Sequence, residues 1–369
     1  MRRAFGATFL AGMFLGLAAC VSGPSQQQVE LQAMADGFLT ENPDVPAVAL
    51  AVIDAEGQLA GAAAGEAGPD GESMTPAMPV RIASNTKTYV AAAVLRLWED
   101  GEVDLDAPIG GLIDPELAAM LDGDGYDLQA ITVRHLLMHV SGMPDHADDA
   151  YVAIVLDDTS RQWSRADQVA LLVENHDPLG PTMSEFRYSD TGYVLLGDII
   201  ERTTGKPLAT SVRTLLGFER LGLETTWWEQ AEAQPAGTAP RARQSLEGTD
   251  TTDWNPSMDM YGGGGLVGSV EDLAVFWAAL MRGEIFARPE TLEEMVSAPG
   301  HPFPEDYRLG VFPRGEGDSE IYFHGGFWGT IAGYSPAQDV AVAGVVTDQA
   351  GVRNLAAIVM EMLTPTEAE

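Results

Sequence analysis

The sequence holds a single cysteine, Cys20, and only two lysines, Lys87 and Lys206. Without a second cysteine there is no internal disulfide, so stability must come from a packed core. Positive charge is scarce: 20 Lys and Arg stand against 55 Asp and Glu, a formal net charge of −35. That balance argues against nucleic acid and anionic membrane surfaces as partners. The acids are scattered rather than blocked and read as a solvated face. No Gly-x-Ser-x-Gly elbow occurs, which disfavours a Ser-His-Asp α/β-hydrolase. The six histidines lack His-Glu-x-x-His spacing, so a metalloenzyme is disfavoured and no metal is expected. His135, His139 and His146 are expected at helix ends and loops. The glycine run Gly262–Gly265 lacks the Gly-Lys-Ser/Thr ending of a phosphate-binding loop. It reads as close backbone packing beside a site, and no cofactor is expected.

The 369 residues are 46% hydrophobic, an ordinary globular composition with room for a large core. Arg2 and Arg3 precede an apolar run from Phe5 to Leu17 that is too short for a usual membrane span. The run ends in Leu17-Ala-Ala-Cys20, which resembles a bacterial lipoprotein signal. The expected organisation is a signal peptide over 1–19 and a lipid-anchored tether over 20–29 that begins at a lipidated Cys20. An uncleaved N-terminal anchor is the alternative. The lipid reading places the chain in the bacterial cell envelope, facing the periplasm or the cell exterior. No later segment approaches a membrane span.

Leu31, Met34, Ala35, Phe38 and Leu39 recur at helical spacing, and prolines at 43 and 46 end that helix. Val48 to Ile53 and Gln58 to Ala64 read as an antiparallel hairpin. Residues from Asp104 to about Met260 alternate helical runs with irregular loops, including helices predicted over 131–139, 165–175 and 193–204. Trp227 to Asp259 is a long polar stretch placed as a lid or rim over the site. A helix is predicted over 271–281, strands over 307–312, 320–324, 330–334 and 340–347, and a closing helix over 352–363. Strands at both ends with a helical insert between them predict an α+β fold with one antiparallel sheet built from both termini and flanked by helices. The expected division of residues 30–369 is an α/β lobe (30–82 and 261–369) and a mostly helical lobe (83–260), with the site at their seam.

At that seam lies Ser84-Asn-Thr-Lys87, where a short strand gives way to an apolar helix. Residues i and i+3 share a helix face, so the Ser84 hydroxyl and the Lys87 amine are expected side by side. Serine is a weak nucleophile until a neighbouring base takes its proton, and a desolvated lysine can be that base. A solvated surface lysine is the usual outcome of this spacing. The scarcity of lysine and the apolar flank Tyr89–Trp98 argue against that here. Two further pieces can reach the seam. One is Tyr188-Ser-Asp190, before a helix; the other is His324-Gly-Gly326-Phe327, a strand whose glycines permit a close backbone approach.

These three motifs, in this order, resemble the class C β-lactamase, DD-peptidase and esterase superfamily, with its Ser-x-x-Lys, Tyr-x-Asn and Lys/His-x-Gly. The likeness spans Leu31 to Leu363 and implies a β-lactamase/transpeptidase-like fold. It also implies a penicillin-binding-protein-like serine hydrolase that forms an acyl-enzyme on an ester or amide of a small molecule or short peptide. Ser84 would be the nucleophile. Lys87 and Tyr188 would relay its proton, and the N–H groups of Ser84 and Phe327 would hold the oxyanion. His324, Gly326 and Asp190 would border the substrate. Two residues depart from the β-lactamase pattern. His324 stands where lysine would bind a carboxylate, and Asp190 replaces the usual Asn and would repel an anion. Both favour the DD-peptidase-, D-aminopeptidase- or esterase-like readings. A class C-type β-lactamase, or a lipoprotein that binds penicillin or muropeptide without turnover, are the alternatives.

Overall fold

The computed structural model describes residues 25–365. The signal segment and Cys20 lie outside the described residues. Among those residues, no helix is long and apolar enough to cross a membrane. Among the described residues eleven strands run in chain order: β1 Ala47–Ile53, β2 Leu59–Gly65, β3 Val80–Arg81, β4 Trp227–Trp228, β5 Ser245–Leu246, β6 Thr249–Asp250, β7 Leu266–Gly268, β8 Phe312–Arg314, β9 Ile321–Gly326, β10 Thr330–Ser335 and β11 Val340–Val346. The helices are α1 Gln26–Glu41, α2 Thr86–Glu99, α3 Pro115–Gly123, α4 Val133–Leu137, α5 Asp149–Asp157, α6 Arg165–Asn175, α7 Asp190–Thr204, α8 Leu208–Leu216, α9 Phe218–Leu221, α10 Val270–Met281, α11 Pro289–Ser297 and α12 Val352–Leu363.

The main sheet is antiparallel, in the order β2-β1-β11-β10-β9-β8, so the two ends of the chain meet in its middle. Val48 stands opposite Val346 there. Every residue of β1 is buried because helices cover both faces. Its alternate side chains serve different layers. Val48, Leu50 and Val52 pack with Leu31 and Phe38 of α1 and Leu355 and Val359 of α12. Ala47, Ala49 and Ala51 face the larger core, which includes Leu273 and Trp277 of α10. Alanine on that face lets α10 lie close to the sheet. Each fully buried Leu or Val contributes about 1.5–3 kcal/mol, so this two-sided burial accounts for stability without a disulfide.

The expected strand over 307–312 is a loop instead. Leu309 donates its N–H to Met295, Arg308 donates to Val311, and Gly310 sits at φ +92°, so the segment folds back rather than extending into the sheet. Only Phe312–Arg314 pairs with β9. The rim stretch 227–259 is pinned rather than free. Arg81 pairs with Glu229 at 2.6 Å and donates to the carbonyls of Thr251 at 3.0 Å and Trp254 at 2.7 Å. β4 joins β3 and β7 in a small second sheet that the sequence reading did not foresee.

Candidate active site

Ser84 lies on a 3-10 turn, Ala83–Asn85, that runs directly into α2. Ala83 holds φ +46°, a left-handed backbone rare for a residue with a Cβ, and the turn that follows throws Ser84 to the surface of the cleft. Strands brace the turn from below. Thr330 Oγ donates to the Ile82 carbonyl at 3.0 Å, and Asn85 Nδ2 donates to Thr330 Oγ at 3.0 Å. α2 is buried from Thr86 to Leu95, and Lys87 is 0% exposed. Its Nζ donates to Ser84 Oγ at 2.9 Å and to the Gly263 carbonyl at 2.6 Å, and lies 2.6 Å from Asp190 Oδ1. Burial alone would favour loss of the Lys87 proton. The Asp190 carboxylate, helped by Tyr188, outweighs it and holds the ammonium above the ordinary lysine range.

Tyr188 faces both Ser84 and Lys87, with Lys87 Nζ 5.0 Å from its ring centre. Its position is fixed by stitches between the segment before α7 and the loop after α4. Ser189 N–H donates to His139 Nδ1 at 3.1 Å, Arg187 N–H to the His139 carbonyl at 2.9 Å, and Ser189 Oγ to the Pro144 carbonyl at 2.7 Å. Burial pushes the Tyr188 phenol up to about 12, against the pull of Lys87. Asp190 is the first residue of α7, where a carboxylate is favoured near the helix N-terminus.

The other side of the cleft is the turn after β9. A Cβ on Gly326 would lie 2.3 Å from the Ile82 carbonyl oxygen and 2.3 Å from Thr330 Oγ, so only glycine lets this strand end reach the nucleophile turn. Neither the Ser84 nor the Phe327 N–H donates to a backbone acceptor among the described residues, which leaves both free for an oxyanion. The glycine run plays the packing part expected of it. A Cβ on Gly264 would lie 2.1 Å from Asp259 Oδ1, and one on Gly262 would lie 2.4 Å from the Tyr193 carbonyl oxygen.

Ser84, Tyr188, Asp190 and Phe327 line one cavity of about 240 Å³. His324 does not line it. The residue is 1% exposed, and its ring lies beneath the cleft, with Nε2 3.1 Å from the Tyr307 hydroxyl and Nδ1 2.7 Å from the Gly325 carbonyl oxygen. Burial and the Lys87 charge depress it to about 3, so it is neutral and sits behind the site. From this strand end Phe327 and Trp328 reach the cavity lining, while His324, Gly325 and Gly326 do not, and the part of Gly326 is to let the strand end approach the nucleophile turn.

Several lining residues escaped the sequence reading. Asp145 accepts the Asp190 N–H at 3.1 Å and the Ala147 N–H at 3.0 Å. Burial and the nearby Asp190 raise its carboxyl to about 7. Burial and the same Asp190 raise Asp259 to about 7 as well. Tyr151, Val152 and Val155 of α5, with Trp254, Met258 and Trp328, form the apolar wall. Asp148 capping an apolar run was the available signal for α5.

A nucleophile turn braced by an antiparallel sheet, with a buried lysine one turn on and a tyrosine opposite, is the arrangement of the serine hydrolases built on the β-lactamase fold. The chain belongs to the Beta-lactamase family, whose profile matches residues 31–360. It is similar to esterase EstB of Burkholderia gladioli, 34% identical over 160 residues; the match covers 42% of this chain and 39% of EstB, so it spans well under half of that relative's length. Among solved structures it is similar to a D-stereospecific amidohydrolase from Streptomyces sp., with a TM-score of 0.73, 26% identity, and 87% of this chain and 94% of the other covered. It is also similar to the D-amino acid amidase from Ochrobactrum anthropi SV3 complexed with L-phenylalanine amide, with a TM-score of 0.74, 26% identity, and 91% and 98% covered.

Proposed function

We propose that this chain is an acyl-enzyme serine hydrolase of esters or amides, DD-peptidase-, D-aminopeptidase- or esterase-like, anchored to the bacterial envelope through lipid on Cys20. The observation that carries the reading is the 2.9 Å hydrogen bond from buried Lys87 to Ser84 Oγ at the edge of the cavity. Ser84 Oγ attacks the substrate carbonyl while its proton passes into the Lys87–Tyr188 pair, and the Ser84 and Phe327 N–H groups receive the negative oxygen. Tyr188 returns the proton to the leaving group, and water then releases the acyl group.

The cavity favours a compact acyl part. Its apolar wall accepts a side chain, and Asp145, Asp190 and Asp259 together oppose a substrate carboxylate. Neutral or cationic esters and amides fit that charge better than a β-lactam, and the similarity to a D-amino acid amidase points the same way. A panel of p-nitrophenyl esters, D-amino-acid amides, D-Ala-D-Ala peptides and a chromogenic cephalosporin tests the class. Hydrolysis of an ester or amide that vanishes in Ser84→Ala supports it. A chain that turns over only the cephalosporin, or a Ser84→Ala variant that keeps most activity, would overturn it. Palmitate labelling of the wild type but not of Cys20→Ala tests the anchor, and an unlabelled wild type sinks it.

A further inference from the structure

The charges around Lys87 divide the labour of the site more sharply than the motif does. Three oxygens surround its Nζ: Ser84 Oγ at 2.9 Å, Gly263 O at 2.6 Å and Asp190 Oδ1 at 2.6 Å. An ammonium has three N–H groups and no lone pair, so it can donate to Ser84 and Gly263 while pairing by charge with Asp190. A neutral amine would have to aim its lone pair among these acceptors, where only the Ser84 and Tyr188 hydroxyls can turn and donate; the Gly263 carbonyl and the Asp190 carboxylate cannot. It would also leave Asp190 beside it without a counter-charge. An Asn at 190 would impose no such penalty.

Resting on the reading of Ser84 as nucleophile, we propose that Asp190 is a positioning residue that locks Lys87 as an ammonium, so that Lys87 orients the Ser84 hydroxyl and Tyr188 alone accepts its proton. In the step, the Ser84 O–H proton moves to the Tyr188 phenolate as Oγ bonds to the acyl carbon. The Tyr188 O–H then gives that proton to the leaving group as its bond to the carbon breaks. Lys87 keeps its charge throughout.

The neighbours on other elements do not displace this assignment. His139 after α4, His146 before α5 and His324 on β9 are all buried and held neutral, with Lys87 adding to the effect. Burial raises the phenols of Tyr193 on α7 and Tyr307 before β8. Asp145 and Asp259, raised to about 7 by burial and by Asp190, supply no cation to the site. Lys87 is therefore the cation that favours a Tyr188 phenolate, and Asp190 cancels much of it. Acylation by the native chain should climb on the alkaline side of neutrality. Uncovering Lys87 should move that climb to lower pH.

The chain's two lysines make the test direct, since Lys206 is exposed. In the full-length chain labelled with 13C at lysine Cε, and assigned with Lys206→Arg, the Lys87 signal should show no deprotonation to about pH 10, near the usual lysine midpoint. In parallel, Ser84 modification by a fluorophosphonate is followed by mass spectrometry against pH. Asp190→Asn should lower the midpoint of that rate by about 1 unit or more, and Asp190→Glu should keep the wild-type midpoint. A Lys87 signal that titrates below about pH 10, or coincident midpoints in wild type and Asp190→Asn, overturns the proposal. If Asp190→Asn does not fold, the wild-type lysine titration still decides. Absence of a Ser84 adduct at every pH would defeat the nucleophile reading instead, and the lysine titration would still report on Asp190.

Discussion

Trp328 Nε1 donates to Asp259 Oδ2 at 3.0 Å, joining the turn after β9 to the rim of the cleft. The bond crosses the cavity wall, so the residue that follows Phe327 is held by the 227–259 stretch. It also gives one buried carboxylate a neutral donor where an ion pair would be expected.

That arrangement sets a pH dependence. Burial and Asp190 raise Asp145 and Asp259 to about 7, well above the unfolded aspartate value. The folded state therefore holds extra protons in mild acid. The stabilisation from these groups is complete below about pH 4 and is lost as pH rises through about 7. We expect Asp259→Asn, which keeps an acceptor for Trp328, to flatten the fall in unfolding free energy between these limits by at most about 4 kcal/mol. Parallel curves for variant and wild type would remove Asp259 as a cause.

Gly326→Ala places a methyl group 2.3 Å from the Ile82 carbonyl and Thr330 Oγ. The strand end must withdraw, and Phe327 moves with it. We expect about 1–3 kcal/mol of destabilisation in chemical denaturation. Steady-state assays on an ester should show a fall in kcat/KM of on the order of 10²-fold, since a shift of about 1 Å at a catalytic position is enough for that. Gly325→Ala is the control, because its Cβ would meet nothing closer than 3.9 Å. Equal losses in the two variants would contradict the close-approach account.

Tyr188→Phe keeps the ring that stacks on Phe312, with centroids 6.1 Å apart and planes 11° apart, and removes only the hydroxyl. We expect kcat to drop about 10²–10⁴-fold with KM little changed, the range for losing a general acid–base group. A kcat within a few-fold of wild type would place the proton relay elsewhere.

Arg81→Leu unties the rim. Glu229 keeps Arg241 at 3.2 Å, but the carbonyls of Thr251 and Trp254 lose their donor. We expect a loss of about 3–5 kcal/mol, as for removing one partner of a buried ion pair. Limited proteolysis should then cut within 244–259 before other loops, and an unchanged digestion pattern would count against the tie.

The sheet and the nucleophile were readable because each rests on a local pattern. Continuous apolar runs gave β1 and β11, and an i, i+3 pair gave Ser84 and Lys87. The His324 side chain was not readable, because whether a strand residue points up or down depends on a register that only the pairing with β10 defines. Asp145 and Asp259 were missed for a related reason. They belong to loops with no period, and their chemistry comes from being folded beside Asp190. The strand expected over 307–312 failed at Gly310, where a left-handed backbone overrides an apolar run.

The pairing of Val48 with Val346 has a consequence for synthesis. Ala47 and Thr347, which hydrogen-bond beside it, are 300 residues apart. Contacts of such separation form slowly, because a long loop must close before they return any stability. During translation β1 and β2 emerge early and wait as an open edge until nearly the whole chain has been made. A truncation before β11 removes the middle of the sheet rather than its margin, so the cleft at Ser84 can close only on a finished chain.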